Sequence, residues 1–154
     1  MIKVRTRYNK SNFKKLAAAA EETLNITGNV IVDVDFCSCE EIRALNNDTR
    51  GIDRETDVLS YPFLTNFSMP FDKDHYPDDY DEKNKAVALG CVAICREFIK
   101  KAAKEDSTVY INDVYRAFTH SLLHLFGYDH ATDEQYTQMH NKEDEIMKKA
   151  GIIK

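Results

Sequence analysis

Long apolar runs are missing from this chain of 154 residues. No stretch approaches the roughly 18 apolar residues that a membrane span requires, so no transmembrane helix is predicted. The first ten residues, MIKVRTRYNK, have no apolar core of the secretory kind, which predicts a cytoplasmic protein. Repeats, low-complexity tracts and a linker-like shift in composition are also absent. Cysteine is scarce, at four residues: Cys37, Cys39, Cys91 and Cys95. Without a secretion signal these read as reduced thiols. Cys37 and Cys39 are one residue apart, which is too close for a zinc knuckle with its spacing of about two to four. Positions i and i+2 of a strand share a face, so both read as packing residues. A basic excess is lacking too. The chain has 21 basic and 26 acidic residues, a net charge of -5 and a pI near 5.5, which argues against broad, charge-driven binding of nucleic acid.

What is present describes an ordinary globular domain. Hydrophobic residues at 43% and charged residues at 31% suffice for one core with a charged surface, and the length suits a single domain over residues 1–154. The charge is uneven. Lys3, Arg5, Arg7, Lys10, Lys14 and Lys15 fall in the first fifteen residues without an acid. Residues 72–82 hold Asp72, Asp74, Asp78, Asp79, Asp81 and Glu82 against Lys73 alone. Both segments fit a solvated surface, and the first also allows a local basic face.

Hydrophobic periodicity supplies the elements. Ile2, Val4, Thr6 and Tyr8 alternate with Lys3, Arg5 and Arg7, which predicts a strand over 2–8. Ser11 or Asn12 is positioned to cap a helix through Phe13, Leu16, Ala17, Ala20 and Leu24, stopped by Thr27-Gly28-Asn29. Val30 to Phe36 reads as a second strand. Ser38 and Glu41 form a capping box for a short helix that ends near Asn46-Asn47. Residues 48–55 read as a polar loop, and Thr56 to Phe63 as a third strand. Residues 64–85, with Pro70, Pro77 and the acidic run of 72–82, predict a long surface loop or an edge hairpin. Ala86 to Ile94 is a fourth strand. Helices follow over about 96–104 and 110–126, and a last one is capped by Thr132 with Gln135. The order β-α-β-α-β-β-α-α-α implies an α+β domain: a four-stranded mixed sheet packed with about five helices.

Three of the five histidines fall in one short stretch, His120-Ser-Leu-Leu-His124-Leu-Phe-Gly-Tyr-Asp-His130. Four residues along a helix turn through about 400°, which places His120 and His124 one turn apart on one side. Gly127 can take a positive φ, end the helix and bring His130 back toward the same point. Polar groups on an apolar helix need partners, and one ion would serve all three imidazoles. Three nitrogen ligands leave a fourth position for water, the arrangement of a catalytic zinc site. His75 and His140 have no such company and read as surface residues. The spacing overlaps the metzincin motif H-E-x-x-H-x-x-G-x-x-H. The glutamate that serves there as general base is Ser121 here, which disfavours a peptidase of that mechanism.

The same stretch resembles the signature H-G-x-L-H-L-x-G-Y-D-H of the YbeY family, bacterial metal-dependent endoribonucleases of ribosomal RNA maturation. Only Ser121 departs, standing where the family has glycine. Leu45-Asn46-Asn47-Asp48-Thr49-Arg50-Gly51 resembles the family's L-N-x-x-x-R-G. Thr56-Asp57-Val58-Leu59-Ser60-Tyr61-Pro62 resembles T-[DN]-V-L-S-[FY]-P. LGCVAIC at 89–95 resembles L-G-D-[IV]-x-I-[SC], with Cys91 in place of the aspartate. The resemblance implies one zinc ion held by His120, His124 and His130, with His124 and Arg50 in the catalytic machinery. Arg50 would lie near the metal, where a guanidinium fork can pair two phosphate oxygens. The implied partner is single-stranded RNA, ribosomal RNA above all, with the small ribosomal subunit as a further expected partner. A metallohydrolase of peptides or esters and a non-enzymatic ribosome assembly factor are the rival readings. The proton acceptor stays open, with Ser60, Asp129 and Asp133 near the motifs.

Overall fold

The computed structural model describes residues 1–8, 10–64, 67 and 71–154. Strand β1 (Ile2–Arg5) buries Ile2 and Val4 and exposes Lys3 and Arg5, as its alternation dictates. It pairs in parallel with β2 (Val30–Phe36), which pairs in parallel with β5 (Ala86–Ile94). On the far side of β5 lies the antiparallel β3 (Val58–Pro62). The order β1-β2-β5-β3 is the expected four-stranded mixed sheet. A two-residue strand, β4 (Tyr80–Asp81), adds to β5 at Val87 and Ala86, so part of the acidic 64–85 segment is an edge hairpin. Pro70 and its neighbours 65, 66, 68 and 69 lie outside the described residues.

Five helices complete the fold: α1 (Lys10–Thr23), α2 (Cys39–Arg50), α3 (Arg96–Asp106), α4 (Tyr110–Leu125) and α5 (Asp133–Lys149). Both capping boxes form: Ser38 and Thr132 accept from the amides of Glu41 and Gln135, whose side chains accept in return. Three boundaries differ from the sequence reading. β1 ends at Arg5 rather than at residue 8. Ser11 and Asn12 lie inside α1 rather than at its cap, because the Asn12 amide is used elsewhere, donating to the Tyr115 hydroxyl at 2.7 Å. Helix α2 continues through Asp48-Thr49-Arg50, so the first three residues of the supposed polar loop are helical. The Thr49 hydroxyl donates to the Leu45 carbonyl at 2.7 Å, and Gly51, at φ 68, supplies the left-handed cap.

One face of the sheet carries most of the core. Val30, Val32 and Val34 of β2 and Val87, Val92 and Ile94 of β5 pack with Leu16 of α1, Phe118 and Leu122 of α4, and Ile146 of α5. Each such fully buried side chain contributes about 1.5–3 kcal/mol. An exposed pair such as Arg5–Asp33 adds about 0–1 kcal/mol, so apolar contact decides where the helices sit. The other face is covered in part by α2, whose Cys39 and Ile42 meet Leu59, Ala93 and Cys95.

Gly90 settles how closely α4 approaches. The register steps from Ile31↔Ala88 to Val32↔Gly90, so Leu89 is an extra residue in β5 and the strand bulges there. A Cβ on Gly90 would collide with the Tyr61 carbonyl oxygen and lie 2.7 Å from Leu125 Cδ2. Gly90→Ala is therefore expected to lower stability by about 1–3 kcal/mol, as overpacking does, measured as the urea unfolding midpoint. An unchanged midpoint would show that α4 can move aside without cost.

Candidate metal centre

Helix α4 places the first two imidazoles. Its apolar side is fully buried at Val114, Phe118 and Leu122. His120 and His124, half-buried, stand one turn apart beside that stripe. Phe126 caps the helix and Gly127, at φ 88, turns the chain. The Gly127 amide donates to the His124 carbonyl and the Tyr128 amide to the Leu123 carbonyl, both at 3.0 Å, which is a Schellman closure. The returning segment carries His130, whose amide donates to Asp129 Oδ1 at 2.7 Å.

The three rings meet. Ring centroids are 4.6 Å apart for His120–His124, 5.4 Å for His120–His130 and 5.0 Å for His124–His130. One nitrogen from each lies within 4.8 Å of the other two, so the set could hold a metal ion. The hydrogen bonds behind the rings make the case stronger. His124 Nδ1 lies 2.9 Å from the Tyr128 carbonyl oxygen, which can only accept. That nitrogen therefore carries the proton, and Nε2 of the neutral ring presents a lone pair. His120 Nδ1 faces Glu143 Oε1 at 2.9 Å, an acceptor that holds a proton on Nδ1 in the same way. The two Nε2 atoms then face each other at 3.0 Å with no proton required of either. Two lone pairs at that distance repel, and a cation between them removes the conflict. The donor set fits a borderline-soft divalent ion. Burial first, then the proximity of His120, holds the His124 imidazole below the ordinary histidine range, which favours its neutral form.

Glu143 was missed by sequence reasoning. It is 5% exposed, lies on α5 and fixes the His120 ring across the α4–α5 interface. A carboxylate behind a metal-binding imidazole sets its tautomer and orientation. Nothing within the motif stretch signals it, because it stands 23 residues from its partner.

Arg50 and the histidines share one cleft of about 690 Å³, lined also by Thr49, Asp57, Ser60 and Asp129. The longer α2 is what brings Arg50 there, as the last residue of the helix. A cation at a helix C-terminus is favoured by the dipole, and so is one beside His124 at the end of α4. Asp133 lies instead in the first turn of α5. Ser121 is fully buried and does not line the cleft, so no base stands at the metzincin glutamate position. His75 and His140 lie outside the cluster, as expected.

The cysteines are free, and among the described residues none joins the metal-binding group. Cys39 and Cys95 pack with their sulfurs 3.5 Å apart. Burial, with the Cys95 thiol, pushes the Cys39 thiol up to about 12, which keeps it from acting as a thiolate ligand. Cys91 lies opposite Asp33 and Tyr61 in the sheet. Burial, then Asp35 and Asp33, raises its pKa.

Comparison with known proteins adds the lineage. Residues 1–151 match the family described as Endoribonuclease YbeY. The Endoribonuclease YbeY of Clostridium beijerinckii is 35% identical over 143 residues, covering 89% of this chain and 83% of that protein. That of Clostridium botulinum is 37% identical over 134 residues, covering 84% and 80%. That of Thermoanaerobacter sp. is 35% identical over 140 residues, covering 90% and 86%. The solution structure of TM1509 from Thermotoga maritima aligns with a TM-score of 0.60 at 24% identity, covering 96% of this chain and 90% of that one, and shares the fold.

Two outcomes follow. Glu143→Leu should remain folded by circular dichroism and lose about 10–100-fold in zinc affinity, read by competition with a chromophoric chelator. Equal affinity would mean that His120 needs no support. The depressed His124 pKa sets the sign of a pH effect on the metal-free protein. The unfolded chain protonates this ring near pH 6.5, about the ordinary value, while the folded chain takes the proton only at lower pH. Stability should therefore fall as pH drops from about 6.5 through the lower folded value. His124→Gln should flatten that fall in urea titrations, and an unchanged slope would assign it to other groups.

Proposed function

The chain belongs to the YbeY family of endoribonucleases, and from that membership we propose a zinc-dependent endoribonuclease that cuts single-stranded RNA in ribosomal RNA maturation. The observation that carries the reading is the convergence of three imidazoles and one guanidinium on a single cleft. The catalytic residues on this reading are Arg50 and His124, and the ligands of one zinc ion are His120, His124 and His130. Ribosomal RNA is the substrate, and contact with the small ribosomal subunit in the cytoplasm belongs to the same proposal. No helix of the described residues is long and apolar enough to cross a membrane.

Zinc bound there would supply a Lewis acid at the phosphate and lower the pKa of an adjacent water toward about 7. The rest is the work of the chain. The Tyr128 carbonyl and Glu143 lock two rings with their Nε2 atoms inward. Arg50 pairs the phosphate oxygens and offsets charge that grows as the bond breaks. With the cleft this short and the net charge at -5, binding rests on a few contacts rather than on a long basic groove. A peptidase of the metzincin mechanism would lack its glutamate base, since Ser121 stands at that position and is buried away from the cleft.

Purified protein should cut a labelled single-stranded RNA. Folded His124→Ala should not cut it, and Arg50→Ala should retain the metal but cut about 10²–10³-fold more slowly. Equal cutting by the wild type and His124→Ala would expose a contaminant and remove the nuclease reading. Unfolding of His124→Ala would instead support a metal that only holds the helix turn together.

A further inference from the structure

Beyond His120 the cleft does not end. A second cavity of about 350 Å³ shares Asp57, Val58 and His120 with the first. Its walls are of two kinds. Phe98, Ile99 and Ala102 of α3 meet Val58 and Ala117 to make an apolar floor. Phe98 is only partly covered, so some of its ring is free for contact. The polar part consists of Arg116, Thr108 and His120 with the carboxylates of Asp57, Asp106, Asp113 and Glu143.

Arg116 is held at one nitrogen and unsatisfied at the other. Nη2 donates to Asp144 Oδ1 at 2.8 Å. Nη1 is buried with no partner among the described residues. Nη1 itself has no accessible surface, but the Arg116 side chain is 33% exposed and lines the cavity, so its open part offers positive charge to an acceptor there. Phosphate is a poor occupant of this cavity, because four carboxylates around it repel an anion. A flat, neutral ring with a carbonyl for Arg116 and an amino group for a carboxylate matches every wall. Apolar and aromatic floors take bases by stacking, and polar groups then read the exposed edge.

We propose that this cavity receives the base of the nucleotide beside the scissile phosphate, and that it favours guanine or cytosine, which carry both a carbonyl and an amino group. The phosphate then lies on the Arg50 side of His120 and the base on the Arg116 side. The inference rests on the ribonuclease reading and adds a specificity pocket to it.

The test is a binding scan that does not need turnover. Labelled single-stranded RNAs, each with one abasic nucleotide at a successive position, are titrated into zinc-loaded protein by fluorescence anisotropy. Loss of one stacked base should weaken binding about tenfold at one position only, corresponding to about 1.4 kcal/mol. Restoring guanine or cytosine there should bind more tightly than uracil or adenine. Ala102→Trp fills the cavity from a half-exposed helix position and should bind every RNA of the scan alike, with zinc content and thermal midpoint unchanged. Arg116→Met should keep the positional loss but erase the preference among bases. A uniform scan in the wild type, or a positional loss that survives in Ala102→Trp, overturns the pocket while leaving the nuclease reading intact. Absence of both RNA binding and RNA cleavage overturns the two together.

Discussion

The seating of α4 on the bulged strand β5 is the contact on which the site depends. A helix and a sheet normally stand apart by the thickness of the side chains between them. At Gly90 there is no side chain, and the Tyr61 carbonyl oxygen of β3 and Leu125 of α4 crowd the space a Cβ would take. Leu125 is the residue after His124 and the last of the helix. Close packing there fixes the rotation of the final turn, and with it the direction of both imidazoles. Phe118, Leu122, Leu123 and Phe126 are fully buried around the same helix, so its position is set by contacts that cannot be satisfied in another rotation. The helix then stops where Gly127 turns it, and a Cβ at Gly127 would lie 2.8 Å from the Phe67 ring. Two glycines, one for close approach and one for a positive φ, allow a rigid helix to deliver a precise pair of ligands.

Rigidity of this kind has a cost in the ligand-free protein. Two neutral imidazoles at 3.0 Å across their Nε2 atoms are an unfavourable arrangement that the hydrogen bonds to Tyr128 and Glu143 maintain. The same arrangement is favourable around a cation. A ligand that binds the folded site and not the unfolded chain adds its binding free energy to folding. Ser121 is a different case. Its hydroxyl is buried with no partner among the described residues, a loss of about 1–3 kcal/mol that nothing in the structure offsets.

Legibility from the sequence followed chain distance. The histidine cluster was legible because a helix turn converts a spacing of four into a shared face, and glycine three residues later marks the return. The sheet was legible because Val30 to Phe36 is rich in β-branched residues and Ala86 to Ile94 is a short apolar run. The end of α2 was misread because Asp48-Thr49-Arg50 has no apolar residue to extend the helical period. Tertiary and local polar bonds decide it instead: Asn46 is 2% exposed and donates to the Arg54 carbonyl, and Arg43 pairs Asp53. These tie the following loop back against the helix and carry Arg50 into the cleft. Glu143 was illegible for the opposite reason. Its pattern fits a packed helix well, and only the crossing of α4 and α5 turns a buried glutamate into a partner for His120.

The pairing of two cavities across His120 gives the acidic composition a meaning that a charge count alone misses. Attraction of RNA by net charge is unavailable at -5, so affinity has to come from a few well-placed groups. One side of the imidazole carries Arg50, where an anion is welcome. The other carries Asp106, Asp113, Glu143 and Arg116, where an anion would be repelled and a neutral polar ring accepted, and Asp57 stands between the two. Opposite electrostatics on the two flanks of one ligand would orient a nucleotide before any chemistry occurs. The wrong placement, phosphate among carboxylates, would be disfavoured by repulsion while the right one gains from Arg50. Repulsion would then help to set the register of the strand, and the few attractive contacts would hold it there.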